Sequence, residues 1–273
     1  MLVYLSMILL TFLVGTSVRY NNQKNKVTWI RIVILLTVWV FVYAFRYNTG
    51  ADFSGYYYMF NRIGQVNESF AEFISVRRDY LFYLIEYYSY HYFEGNWVLF
   101  SIIIGILTYS PVLLVARKES ISFVYSLLLY IFTLNYFAGY NGIRQGVAIG
   151  IVFWAYYSFF KKKKYVLYFI AMVVAFGFHS TALFIIPFHF LTKKKITSKI
   201  FKLVVALLLY TYVFLWDLWG YLIKFFETVG QDKLASDYAS ATTNGSSFLR
   251  MVVYIFPAII AIIFYKKLKE KYE

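Results

Sequence analysis

Seven nearly uninterrupted apolar stretches constrain this chain before anything else does: approximately residues 1–18, 27–45, 97–116, 121–138, 143–160, 203–222 and 248–265. A helix crossing a hydrocarbon layer needs ~20 such residues at ~1.5 Å each. Lipid offers no partner for a backbone amide, so each stretch must satisfy its own hydrogen bonds as a helix. Composition points the same way. Of 273 residues, 61% are hydrophobic and 15% charged, against roughly 45–50% and 25% in soluble domains. The expected fold is all-α: a polytopic transmembrane bundle of about eight to nine membrane segments with no sheet, forming one integral membrane domain over 1–273. The first stretch has no basic region before it and no small-residue cleavage site after it, so it reads as a retained helix rather than a secretory signal.

An eighth apolar region, 165–192, is long for one crossing and short for two, with His179 at its middle and Pro187 near its end. Charge decides how it runs. Short loops rich in Lys and Arg stay cytoplasmic. Residues 19–31, 117–118, 161–164, 193–202 and 266–271 carry most of the 27 basic residues. They share one side only if 165–192 enters and returns as a broken or re-entrant hairpin with His179 near its turn. Irregular backbone at that depth must be buried in protein or line a wet cavity. The same reading makes 46–96 a large extracytoplasmic loop, with one or two short interfacial helices between 53 and 94, and 223–247 a second such loop.

The net charge of +14 does not imply nucleic acid. The lysine runs sit at helix ends, where orientation and anionic lipids explain them, and acids from Asp52 to Asp237 offset the bases on the other side. With no cysteine and three histidines, neither a disulfide framework nor a thiolate metal cluster is available, and no metal or other cofactor is expected.

The two sides differ in the kind of cation. The outward side is mostly arginine (Arg46, Arg62, Arg77, Arg78, Arg144, Arg250) and the inward side mostly lysine. Arginine presents a planar donor fork that grips phosphate or carboxylate, whereas lysine serves as a point charge. Arg62, Arg77 and Arg78 fit the plain role of snorkelling to lipid headgroups. Arg46 and Arg144 differ: each lies at the outer end of a membrane helix beside a glycine turn, where an ionisable group is costly unless paired or facing water.

Four outward stretches hold the remaining candidates. In "AFRYNTGADFSGYYYMF", Asp52 or Ser54 would cap a helix, and Tyr56 to Tyr58 offer flat faces to sugar rings. In "RRDYLFYLIEYYSYHYF", apolar residues 81, 84, 85 and 88 follow a helical period, with Glu86 snorkelling from an interfacial helix or serving the chemistry. The third contains Arg144 and Gln145. The fourth, "AFGFHSTALFIIPFHF", contains His179 and Ser180; imidazole exchanges a proton near neutral pH. His91 and His189, set among aromatic residues, read as packing. The 29 Tyr and 29 Phe are explained by the membrane interfaces that tyrosines crowd.

The ordered set "R…TGADF", "YLIEYY", "NGIRQGVAIGI" and "FHSTALFIIPF" resembles the EpsG-like branch of bacterial polysaccharide polymerases, relatives of the Wzy O-antigen and capsule polymerases, over roughly residues 40–190. The resemblance implies a multi-pass glycosyltransferase of the bacterial cytoplasmic (inner) membrane, with its active site on the extracytoplasmic side. It would join undecaprenyl-pyrophosphate-linked repeat units into exopolysaccharide, capsule or O-antigen without a nucleotide sugar. Its partners would be that lipid-linked glycan, membrane lipids and other polysaccharide biosynthesis or export proteins. On this reading Arg144, then Arg46, binds the pyrophosphate leaving group, and His179, Glu86 or Asp52 accepts the acceptor proton. Gln145, Tyr56, Ser180, Tyr238 and Arg250 would contact substrate. The family also implies further membrane helices beyond the loop at 223–247 than the one apolar stretch seen here. Competing functions are a lipid-linked oligosaccharide transporter or flippase, a polysaccharide ligase, and a non-enzymatic subunit of an export complex; in the last, the outward Arg, Asp and His are dispensable.

Overall fold

A computed structural model of the chain describes residues 2–191 apart from 17–19, 22–23, 26, 67–68 and 76, with Lys224 and Thr228 farther on. The chain divides into two units, Met1–Leu191 and Thr192–Glu273, and the architecture is that of the first. The expected spans 203–222 and 248–265, the loop 223–247, Tyr238 and Arg250 lie outside the described residues.

The described part is helical. In chain order the helices are α1 (Leu2–Thr16), α2 (Trp29–Ala44), α3 (Phe53–Arg62), α4 (Phe70–Ser75), α5 (Tyr80–Tyr92), α6 (Trp97–Glu119), α7 (Phe123–Phe132), α8 (Asn135–Asn141), α9 (Ile143–Ala155), α10 (Tyr165–Phe178) and α11 (Ile186–Leu191). A single π turn, Tyr156–Phe160, extends α9, and a 3-10 turn, Ser180–Ile185, precedes α11. One small departure from the sheet-free expectation joins α1 to α2: an antiparallel ladder of Tyr20–Asn21 on Lys24–Asn25. Between 53 and 94 there are three helices, one more than expected.

Among the described residues, α6 is long and apolar enough to cross a membrane by length and composition, and α7 with α8 pass the same test as a pair bent by 45°. That is fewer full spans than the sequence pattern suggests, because α1 and α2 are continuous but only 15 and 16 residues long and other apolar stretches are interrupted. The stretch 121–138 breaks at Leu134, whose φ of 63° is left-handed and ends α7. The stretch 165–192 breaks at His179, where the backbone turns extended (φ −158°, ψ 123°). There the chain does return: Tyr168 Oη lies 2.7 Å from His189 Nδ1, and Phe190 packs on Tyr165 and Phe169. The 165–192 region is therefore a hairpin with His179 at its break, and His189 and His91 pack among aromatic rings as expected.

The helices are held by close backbone approach and by tyrosine. Gly142, Gly146 and Gly150 recur every four residues along the start of α9, the small-residue spacing that lets membrane helices touch. A Cβ at Gly150 would sit 2.8 Å from the Thr108 carbonyl oxygen of α6, so the two backbones are in contact. Around this seam Trp39, Tyr43, Tyr109, Tyr136 and Tyr140 form a buried aromatic core. Tyr136 Oη donates to the Trp39 carbonyl at 2.7 Å, and Tyr109 Oη to the Tyr136 carbonyl at 2.9 Å. Each hydroxyl thus escapes the cost of an unpaired buried polar group. The aromatic excess is accordingly not only interfacial; much of it fills the core.

The two ends of the bundle are chemically distinct. At one end Arg117 Nε donates to the Val27 carbonyl, its guanidinium lies over Trp29, and Lys161 pairs with Glu119 at 3.6 Å. Residues 27–29, 117–119 and 161 therefore gather together, as the charge rule groups them. At the other end the Ala51 amide donates to Asn141 Oδ1, bringing the Arg46–Asp52 turn to the start of α9.

Candidate functional site

Three elements meet beside the start of α9. Arg144 lies in its first turn, Asp79 immediately precedes α5, and His179 occupies the break after α10. Arg144 Nη1 donates to Asp79 Oδ2 at 2.8 Å and contacts Tyr83 Oη at 3.0 Å. His179 Nδ1 stands 3.6 Å from the same Asp79 oxygen, within ion-pair range but beyond hydrogen-bond length. Asp79 is buried, while Arg144 and His179 keep about a quarter of their side chains exposed, 28% and 26%. A buried carboxylate thus holds the guanidinium by a hydrogen bond and lies within ion-pair range of the imidazole, and both of these groups stay partly exposed. Tyr56 faces the guanidinium with its ring centre 5.7 Å away. Arg144 Nε and His179 Nδ1 have no hydrogen-bond partner in the structure. Buried polar groups are otherwise nearly always paired, so two such atoms in one cluster mark it as a place built to receive something.

Asp79 is the residue that sequence reasoning missed. It sits just before α5, a position that suits an N-cap, yet its side chain makes no capping bond. The signal was in the spacing. Residues 79, 83 and 86 fall four and three apart, on one helical face. That face is also where the helical phase of α5 needs correction. The period was right, but the buried residues are Phe82, Tyr83, Glu86 and Ser89, whereas Leu84 and Tyr88 are exposed. In an apolar environment the polar face turns inward and the apolar residues face out.

Glu86 does not snorkel. It is 1% exposed, Oε1 has no hydrogen-bond partner, and burial pushes its carboxyl up to about 8 against the opposing pull of Arg77 and Arg144. Burial also raises the Tyr83 hydroxyl, offset by Arg144. Glu86 faces a separate cavity of about 480 Å3 that also includes Arg62 and Arg77.

The other candidates stand apart from the Arg144 cluster. Arg46 is buried in a cage of rings, with its guanidinium carbon 3.9 Å from the centre of Tyr43, 4.9 Å from Tyr140 and 5.9 Å from Phe53, and Nη1 donates to the Tyr43 carbonyl. Its Nε is unpartnered. Asp52 sits at the start of α3 but is exposed and makes no capping bond. Gln145 and Ser180 are exposed neighbours of Arg144 and His179. The tyrosine run fans out along α3: Tyr56 faces Arg144, Tyr57 stacks on Phe53 and packs on Trp97, and Tyr58 lines the 480 Å3 cavity. Three adjacent helical residues, ~100° apart, cannot share one sugar-binding face.

A strongly apolar helical chain, in which a guanidinium and an imidazole meet a buried carboxylate at one end of the bundle, is a membrane protein with a polar site there. The chain belongs to the EpsG family, whose model matches residues 2–273. This is a family of Wzy-type polysaccharide polymerases, and membership carries with it a polymerase-type role in polysaccharide biosynthesis on a lipid-linked glycan. No curated protein and no solved structure matches the chain.

Proposed function

We propose that this protein is an inner-membrane glycosyltransferase that polymerises undecaprenyl-pyrophosphate-linked repeat units, with the Arg144–Asp79–His179 cluster as its extracytoplasmic reaction centre. The convergence of those three side chains from three separate elements carries the reading.

In the reaction, an acceptor sugar hydroxyl attacks the anomeric carbon of the donor glycan, the new carbon–oxygen bond forms, and the bond to the lipid pyrophosphate breaks. The electron pair of the broken bond leaves with undecaprenyl pyrophosphate. Negative charge grows on that leaving group, and a guanidinium fixed beforehand stabilises it without reorganising. Arg144 takes this role: Asp79 and Tyr83 hold Nη1, and Nε is left without a partner. His179 receives the acceptor proton. Asp79 lies behind its Nδ1 at 3.6 Å, on the side where a carboxylate backs a histidine base. Arg46, in its aromatic cage, supplies a second cation near the same bundle end, and Tyr56, Gln145 and Ser180 line the approach. Glu86 and Asp52 serve sugar binding rather than proton transfer.

The test is elongation of a synthetic undecaprenyl-pyrophosphate repeat unit by the purified protein in nanodiscs without nucleotide sugar. Longer glycan is expected. Movement of the lipid-linked unit across a bilayer without elongation would replace this reading with a transporter.

A further inference from the structure

The cavity of about 480 Å3 between α3, α4 and α5 has no part in the chemistry above, and its lining is unusual. Two guanidiniums, Arg62 and Arg77, face it together with the carboxyl groups of Glu72 and Glu86 and the rings of Tyr58 and Tyr87. Its size falls within the ~300–1,000 Å3 of small-molecule sites.

Among the described residues, neither carboxyl group forms an ion pair with Arg62 or Arg77. Glu72 is committed elsewhere: Oε2 accepts from both the amide and the hydroxyl of Ser69, each at 2.8 Å, while the Glu72 amide bonds back to Ser69 Oγ. That is a reciprocal cap on α4. Glu86 is buried to 1% exposure with Oε1 unpartnered, and its raised titration keeps it largely uncharged near neutrality. A neutral carboxyl both donates and accepts a hydrogen bond. Arg77 is anchored through Nη1 to the Phe73 carbonyl and lies over the Phe73 ring, so one planar fork is held rigid. Arg62 is exposed, at the last turn of α3. The cavity therefore offers two guanidiniums against one charged carboxylate, Glu72, whose Oε2 is already engaged by Ser69, with a buried donor-acceptor group beneath them and aromatic walls. That combination complements a ring with one apolar face, several hydroxyls and an acidic substituent.

We infer that the α3–α4–α5 cavity is a binding subsite for an acidic sugar of the glycan chain, its carboxylate held by Arg62 and Arg77 and a ring hydroxyl by Glu86. This rests on the polymerase reading for its substrate but not for its test. The subsite would fix which residue of the repeat is acidic, and it would hold the chain roughly two helical turns along α5 from Asp79.

The experiment is equilibrium binding to the full-length protein in nanodiscs of neutral lipid, with no polymerisation involved. The probe is a glucuronic-acid-containing tetrasaccharide, compared with its carboxyl-reduced counterpart. The acidic form should bind about tenfold tighter or more, the equivalent of ~1.4 kcal/mol. Arg62→Ala, an exposed change that leaves the core intact, should remove that preference, and Arg144→Ala should leave it in place. Equal affinity for the two tetrasaccharides, or an Arg62→Ala protein that still prefers the acidic one, overturns the proposal. Arginine-dependent capture of anionic vesicles without any glycan preference would also overturn it, assigning the cavity to lipid headgroups. If elongation fails while acidic-sugar binding persists, the reaction centre is wrong and the subsite stands; the reverse outcome separates them the other way.

Discussion

Replacing Asp79 by Asn isolates the charge of the carboxylate that joins Arg144 to His179. The amide keeps the shape and one acceptor oxygen, so the hydrogen bond from Arg144 survives in weakened form. At the observed separation of 2.8 Å, the Coulomb attraction is ~6 kcal/mol for an effective dielectric of ~20. Desolvating the two ions costs several kcal/mol, most of it on the nearly enclosed aspartate, so the net held by the pair is roughly 2–3 kcal/mol. If that energy positions Arg144 against a developing pyrophosphate charge, elongation should slow by on the order of 100-fold. The assay is initial rate of polymer formation from a synthetic lipid-linked repeat unit in nanodiscs, with folded protein checked by size-exclusion profile. A double-mutant cycle with His179→Gln adds a sharper reading. Residues acting as a unit are strongly non-additive, so the double variant should be little slower than the worse single one. An Asp79→Asn protein that elongates within about threefold of the unchanged protein, or losses that simply multiply, would refute the reasoning.

Arg144→Ala should abolish polymer while leaving membrane insertion unchanged; a fully active variant, measured by glycan length on gels, removes its assignment. Glu86→Gln should change how stability depends on pH. Burial pushes the folded carboxyl from its ordinary 4.5 up to about 8, so its contribution is fully present below the unfolded value and is lost as pH rises from there through about 8. Between those limits the total is up to a few kcal/mol, on the order of 1.4 per unit. Arg77, Arg144 and Tyr83 act on the group, while Arg62, Glu72 and Tyr87 line the same cavity, and Gln should flatten the slope of apparent melting temperature between pH 5 and 9; an unchanged slope rules out Glu86 as its source. Gly177→Ala should separate α10 from α5, because a Cβ there meets Leu81 Cγ at 2.6 Å. Overpacking costs ~1–3 kcal/mol, and the shift should draw His179, two residues on, away from Asp79; normal elongation by a destabilised protein would disconnect that packing from the site.

Sequence alone determined the helical class, because long apolar stretches in lipid have one way to satisfy their backbones. It also predicted the hairpin at 165–192, since by the charge rule a single crossing would divide the lysine-rich loops between two sides. Arg144 and His179 were visible as ionisable groups in apolar surroundings. The tertiary structure decided which groups meet. Asp79 drew no role from the sequence and became the hub, because whether a carboxylate caps or pairs depends on what another helix brings to it. Arg46 looked equivalent to Arg144 but went into an aromatic cage instead. The phase of α5 was ambiguous for the same reason: periodicity fixes a helix, while the choice of buried face depends on whether its neighbours are lipid or protein. Local physics is written in the order of residues, and convergence across α5, α9 and α10 is set by glycine contacts and packing that no single segment records.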